Sequence, residues 1–136
     1  MTPAPDHLLD FALRYSAAWC SQIPAAVAAH FSPTGSLTIN GGPPCVGRTA
    51  IAEAARAFML AFPDMRVFLD GLVPKDDHIV FHWTLSGTKT GPGGAGREVR
   101  ISGFEQWQFG PDGLIAASLG HFDLDEYNRQ LGHRLP

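Results

Sequence analysis

Hydrophobic spacing divides the chain into a helical first half and a stranded second half. Leu8, Phe11, Ala12, Tyr15, Ala18 and Trp19 recur at helical intervals behind Asp6, which predicts a first helix capped by that aspartate. Ser21 and Pro24 restart the chain into a short alanine-rich helix reaching Phe31. A short strand over 36–40 (SLTIN) follows, closed by Gly41, Gly42, Pro43 and Pro44. Thr49 is the expected cap of a third helix with Ile51, Ala55, Phe58 and Phe62 on its buried stripe, ending at Pro63.

Beyond Pro63 the period drops to two. Strands are expected over 65–73, 78–88, 97–109 and 114–122, separated by turn sequences at 74–77 and 110–113 and by the connection GPGGAG at 91–96. Asp123 with Glu126 three residues later reads as a capping box for a C-terminal helix ending near Gly132. Helices followed by an antiparallel meander predict one α+β domain over 1–136. Gly87 and Gly103 sit where long strands could bend, so the sheet is expected to curl into a cone around the three N-terminal helices, with an interior hollow.

Alternation then sorts the strands by face. Val99, Ile101, Gly103, Glu105, Trp107 and Phe109 share one side of the strand 97–109, and all but Glu105 are apolar or glycine. Phe81, Trp83 and Leu85 form the apolar set of the preceding strand, with His82, Thr84, Ser86 and Thr88 opposite. Ala116, Ser118, Gly120 and Phe122 are placed inward on the last strand. A buried, unpaired carboxylate costs several kcal/mol, so Glu105 must be protonated, paired, or at a cavity wall. Tyr15, on the inward stripe of the first helix, could meet it there.

Composition narrows the class. At 136 residues, with 45% hydrophobic and 17% charged residues, the chain can bury one core without staples. A net charge of −3 and no Lys/Arg cluster argue against nucleic acid as a partner. No run approaches the roughly 20 apolar residues of a membrane span, and MTPAPDHLLDFALRY lacks the basic leader and apolar core of a signal peptide. Cys20 and Cys45 have no metal or redox spacing and read as reduced thiols in a cytoplasm. His78 and His82 share a strand face without a third ligand, so no metal is expected. GPGGAG lacks a Lys-Ser/Thr and a following helix, so it is a connection rather than a phosphate cradle, and no cofactor is indicated.

The segments FALRYSAAW, VAAHFSPTGSLTINGGPPCVGRTAI, HWTLSGTKTG, GFEQWQFGPDGLI and FDLDEYNRQLG, in that order, resemble the nuclear transport factor 2-like superfamily, in its SnoaL-like and ketosteroid-isomerase-like branches. The resemblance runs from Leu8 to Gly132. It implies a cone-shaped fold, a homodimer through the open sheet face, and a small hydrophobic molecule as ligand. The isomerase's oxyanion-hole tyrosine and protonated acid fall on Tyr15 and Glu105; that enzyme is a known instance of an acid kept neutral by an apolar site. Its catalytic base falls at Ile39 or Asn40. The last-strand acid of cyclases and epoxide hydrolases falls at Gly120, and the hydrolases' Arg and Asp fall near His82 and Thr84.

The candidate site is therefore Tyr15 and Glu105 as the catalytic pair, with Trp19, Asn40, Phe58, Phe62, Trp83, Trp107 and Phe122 contacting the substrate. Two readings of Glu105 stay open: a pocket acid of raised pKa that donates to a ligand oxygen, or a structural glutamate paired with an arginine or at the sheet's edge. Tyr15 is either its partner in chemistry or a core residue whose hydroxyl finds one bond. Asp123 is explained by capping, and His82 and His121 by an outward face. The activity expected is isomerisation or cyclisation of a hydrophobic carbonyl compound. The alternatives are non-catalytic small-molecule binding and a protein-interaction module on the same fold.

Overall fold

In the computed structural model, residues 5–90 and 96–132 are described. Helix α1 (Pro5–Cys20) and the short α2 (Pro24–Ala28) lead into strand β1 (Phe31–Ile39) and a two-residue strand β2 (Cys45–Val46). Helix α3 (Arg48–Ala61) precedes β3 (Arg66–Pro74), β4 (Ile79–Lys89), β5 (Arg97–Phe109) and β6 (Ile115–Phe122), and α4 (Leu124–Gln130) closes the described chain. The six strands form one sheet in the order β2-β1-β6-β5-β4-β3. The expected α+β architecture is therefore present, with residues 91–95 of the GPGGAG connection lying outside the described residues.

Several boundaries differ from the expectation, each for a local reason. α1 begins at Pro5, so Asp6 lies inside its first turn rather than ahead of it. α3 starts at Arg48 behind Gly47, whose φ of 89° suits glycine, and Thr49 is already helical. The second helix stops at Ala28 because the backbone from Phe31 onward is claimed by β6: Phe31 pairs with Ile115 and Leu37 with Ser118. That pairing is parallel, so the sheet is mixed where an antiparallel one was expected. The antiparallel meander holds for β3, β4, β5 and β6.

Gly87 and Gly103 do not interrupt the ladder. The β4–β5 register runs unbroken from Ile79↔Trp107 to Lys89↔Arg97, and the irregularities fall at Leu69/Gly71, Gln108/Phe109 and Phe31/Ser36. The two glycines supply clearance instead. A Cβ at Gly87 would press on Phe62 at 3.2 Å, and one at Gly103 would stand 2.5 Å from Trp83 Cζ2.

Aromatic residues fill the space between helices and sheet. Tyr15, Phe31, Phe62, Phe81 and Trp107 are all fully or almost fully buried. Phe81 and Trp107, neighbours across β4 and β5, stack at 4.7 Å and 13°, and the Tyr15 ring meets both edge-on at 5.6 and 5.2 Å. Val99, Ile101, Glu105 and Trp107 are buried as alternation requires, and the outer face keeps Phe68 and Leu119 exposed. Asp123 caps α4 by accepting from the Glu126 backbone N–H at 3.0 Å, while the Glu126 carboxylate turns away to Arg129, so only half of the capping box forms.

Candidate ligand cavity

Glu105 is buried, and among the described residues no cation pairs with it. Three side chains compensate. Oε1 accepts from Tyr15 at 2.9 Å, from Trp107 Nε1 at 3.0 Å and from Ser118 Oγ at 2.7 Å, whereas Oε2 receives only the longer Tyr15 contact at 3.1 Å. The strand register explains the convergence: Ser118 lies opposite Trp107 and Gly120 opposite Glu105, so β6 sets a hydroxyl beside the carboxyl group and leaves bare backbone facing it. Loss of water raises the Glu105 pKa, and the Ser118, Trp107 and Tyr15 hydrogen bonds offset part of that rise. Burial and the neighbouring carboxyl group push the Tyr15 phenol well above its ordinary value. Among the described residues Glu105 is paired with no arginine, and it lies in β5, inside the sheet between β4 and β6.

Beside this cluster lies an apolar cavity, part of it open to solvent. Its wall includes Glu105, Gly120 and Ile39 together with Trp19, Phe58, Phe81, Trp83, Phe122 and Tyr127. Of the predicted set, Glu105, Trp19, Phe58, Trp83 and Phe122 therefore reach the cavity, and Tyr15, Asn40, Phe62 and Trp107 do not line it. Tyr15 is fully buried behind Glu105 with its hydroxyl on the carboxyl group. Trp107 spends its N–H on the same oxygen and its face on Phe81. Asn40, at φ 51°, accepts the Phe122 backbone N–H at 2.9 Å and so ties the end of β1 to β6. Phe62 is sealed between Gly87 and Tyr127.

Two contributors escaped the sequence reading. Tyr127 reaches the wall from α4, against Phe122 at 5.6 Å, a position that depends on how the terminal helix folds back. Ser118 was placed inward, but its bond to Glu105 needed the β5–β6 register. The wall positions Ile39 and Gly120 carry no acid, and among the described residues no group of three or more His, Cys, Asp or Glu side chains could hold a metal ion. His82 and His121 flank Phe104, at 6.2 and 5.3 Å between rings, and His121, though exposed, also contributes to the cavity wall. His78 bonds Asp77 at 2.7 Å.

A curved sheet with helices across its concave side and an apolar cavity between them defines the cone-shaped fold of the nuclear transport factor 2-like superfamily, a scaffold that accommodates small molecules. Within it the chain belongs to the SnoaL-like domain family, whose family model matches residues 12–118. Among solved structures it is similar to TsrD from Streptomyces laurentii, with 23% identity, a TM-score of 0.84, and 97% of this chain and 99% of that one covered. A protein from Jannaschia sp. CCS1 described as a SnoaL-like polyketide cyclase aligns at 16% identity and TM-score 0.79 over 99% of both chains. A protein with a ketosteroid isomerase-like fold from Catenulispora acidiphila DSM 44928, solved in complex with trimethylamine, aligns at 17% identity and TM-score 0.80 over 98% of this chain and 96% of that one. These likenesses establish the fold. No curated protein matches the sequence.

Proposed function

We propose that the cavity binds a small, largely apolar carbonyl compound and that Glu105 is the group that handles its oxygen. One observation carries this reading: a buried carboxyl group, held on one oxygen by three donors, forms part of an otherwise greasy wall. Oε2 is the less occupied atom and the natural seat of a proton when Glu105 is neutral. From there an O–H can donate to a ligand carbonyl and stabilise the charge of an enolate, in a site where low dielectric strengthens the bond. Tyr15, Trp107 and Ser118 act as positioning residues, fixing the carboxyl rotamer from behind.

The resemblance puts acids at Ile39 or Asn40 and at Gly120, none of which is one, and no second carboxylate is among the described residues that line the cavity. Water or a basic group of the ligand itself removes the carbon-bound proton in an isomerisation or cyclisation. Solvent deuterium exchange into the methyl group of 2-acetonaphthone tests the enzyme reading. The expected result is protein-accelerated exchange that disappears in Glu105→Leu while folding survives. Binding without exchange would reduce the function to non-catalytic carriage, and absence of binding would leave an interaction module.

A second ligand class has its own support. Six aromatic side chains around a carboxyl group also suit a small ammonium ion, and the Catenulispora relative holds trimethylamine. We further propose that the protein acts as a homodimer through the outer sheet face, where Phe68 and Leu119 are 42% and 46% exposed. A cytoplasmic site suits the free Cys20 and Cys45, and no helix among the described residues is long and apolar enough to cross a membrane.

A further inference from the structure

The three tryptophans of the chain are not equivalent. Trp107 donates its indole N–H to Glu105 at 3.0 Å. Trp83 donates to nothing: among the described residues its Nε1 is the one buried side-chain nitrogen or oxygen without a hydrogen-bond partner. Buried indoles ordinarily find an acceptor, and this unpaired one belongs to a side chain that lines the cavity.

Its placement is built by the neighbouring strand. Trp83 pairs across the ladder with Gly103, and the ring's Cζ2 and Cη2 lie where a side chain at 103 would stand, at 2.5 and 2.9 Å from a Cβ there. Any larger residue at 103 would also collide with the His121 carbonyl. The glycine thus makes a slot for one orientation of the indole, with Phe122 against it at 6.2 Å and 63°. The N–H is buried in that seat, so it meets an acceptor only when the ring moves.

We propose that Trp83 is the ligand's hydrogen-bond donor, its Nε1–H pairing with an acceptor oxygen of the bound molecule after a small turn of the ring out of its slot. The inference rests on the cavity reading above and sharpens it. Glu105 lies one pleat repeat beyond Gly103 on the same face of β5, so Trp83 and Glu105 mark two polar points on one apolar wall. No Lys or Arg is among the lining residues, and a carboxyl group is. The ligand class that satisfies both points is a neutral, apolar molecule with two oxygen functions, such as a hydroxyketone or a dicarbonyl compound. The ammonium class above would use Glu105 and the aromatic rings and leave the indole N–H unpaired.

The test compares 2-acetonaphthone with 2-isopropenylnaphthalene, in which a methylene replaces the carbonyl oxygen at nearly constant shape. In Glu105→Leu protein, where the other donor is gone, the ketone is expected to bind about tenfold more tightly than the alkene, as one desolvated hydrogen bond allows, and Glu105→Leu/Trp83→Phe to bind the two alike. In wild-type protein the ketone, and not the alkene, should shift the Trp83 indole ¹⁵N–H resonance, a readout that needs no variant. Equal affinities in Glu105→Leu, or a ketone preference that survives in Glu105→Leu/Trp83→Phe, would overturn the role of Trp83 while leaving the cavity reading intact. Failure of both compounds to bind would overturn the cavity reading, and this inference with it.

Discussion

At the residue scale the decisive fact is that Glu105 is solvated by protein rather than by water. Its folded-state pKa lies above the ordinary value near 4.5, so between the two pKa values the native state holds more protons than the unfolded chain. Unfolding free energy should therefore fall as pH rises from about 4.5 through the raised pKa, and level off beyond it. Glu105→Gln should flatten that slope whatever it does to baseline stability, as urea titrations across pH would show. An unchanged slope would mean that another group carries the effect. Ser118→Ala removes a donor that favours the ionised form, so it should raise the Glu105 pKa further, measurable by carboxyl ¹³C NMR. A pKa that fell instead would contradict the assigned bond. Alternation alone put Glu105 on a dry face, because that needs only a period of two. The identity of its partners depended on side chains 90 and 13 residues away.

At the element scale α4 is the piece whose loss should be felt in the cavity without destroying the core. It buries none of its own residues, and it is held by the Asp123 cap, by Leu131 beyond its end, and by Gln130, which donates to the Arg100 carbonyl at 2.8 Å. Asp123→Ala should cost about 1 kcal/mol, the usual worth of a cap, and weaken binding of 2-acetonaphthone through misplacement of Tyr127. Chemical denaturation and fluorescence titration check the two effects separately; a stability loss with unaltered affinity would remove Tyr127 from the site. Strand β5 and the cap of α4 were legible because period and cap chemistry are local. The parallel β1–β6 pair was not, since no turn sequence joins strands separated by most of the chain, and the helical look of 29–31 gave way to pairing with β6.

At the scale of the whole molecule, one face of the sheet is covered by helices and the other is not. If two copies meet there, Leu119→Arg should convert a dimer to a monomer by light scattering and remove any concentration dependence of the melting temperature. A wild-type protein that is monomeric at high concentration would end the dimer proposal. The sequence by itself determined the α+β class, the inward faces of the central strands and the anomalous acid among them, because each follows from short-range periodicity and the cost of burying charge. Tertiary structure alone decided which of the candidate side chains reach the void. Tyr15, Trp107, Asn40 and Phe62 have the same chemistry in either place, and only the register of β5 on β6 and the seating of the helices turned Tyr15, Trp107 and Phe62 to the core, tied Asn40 to β6 and left Trp83 with an unspent N–H at the cavity wall.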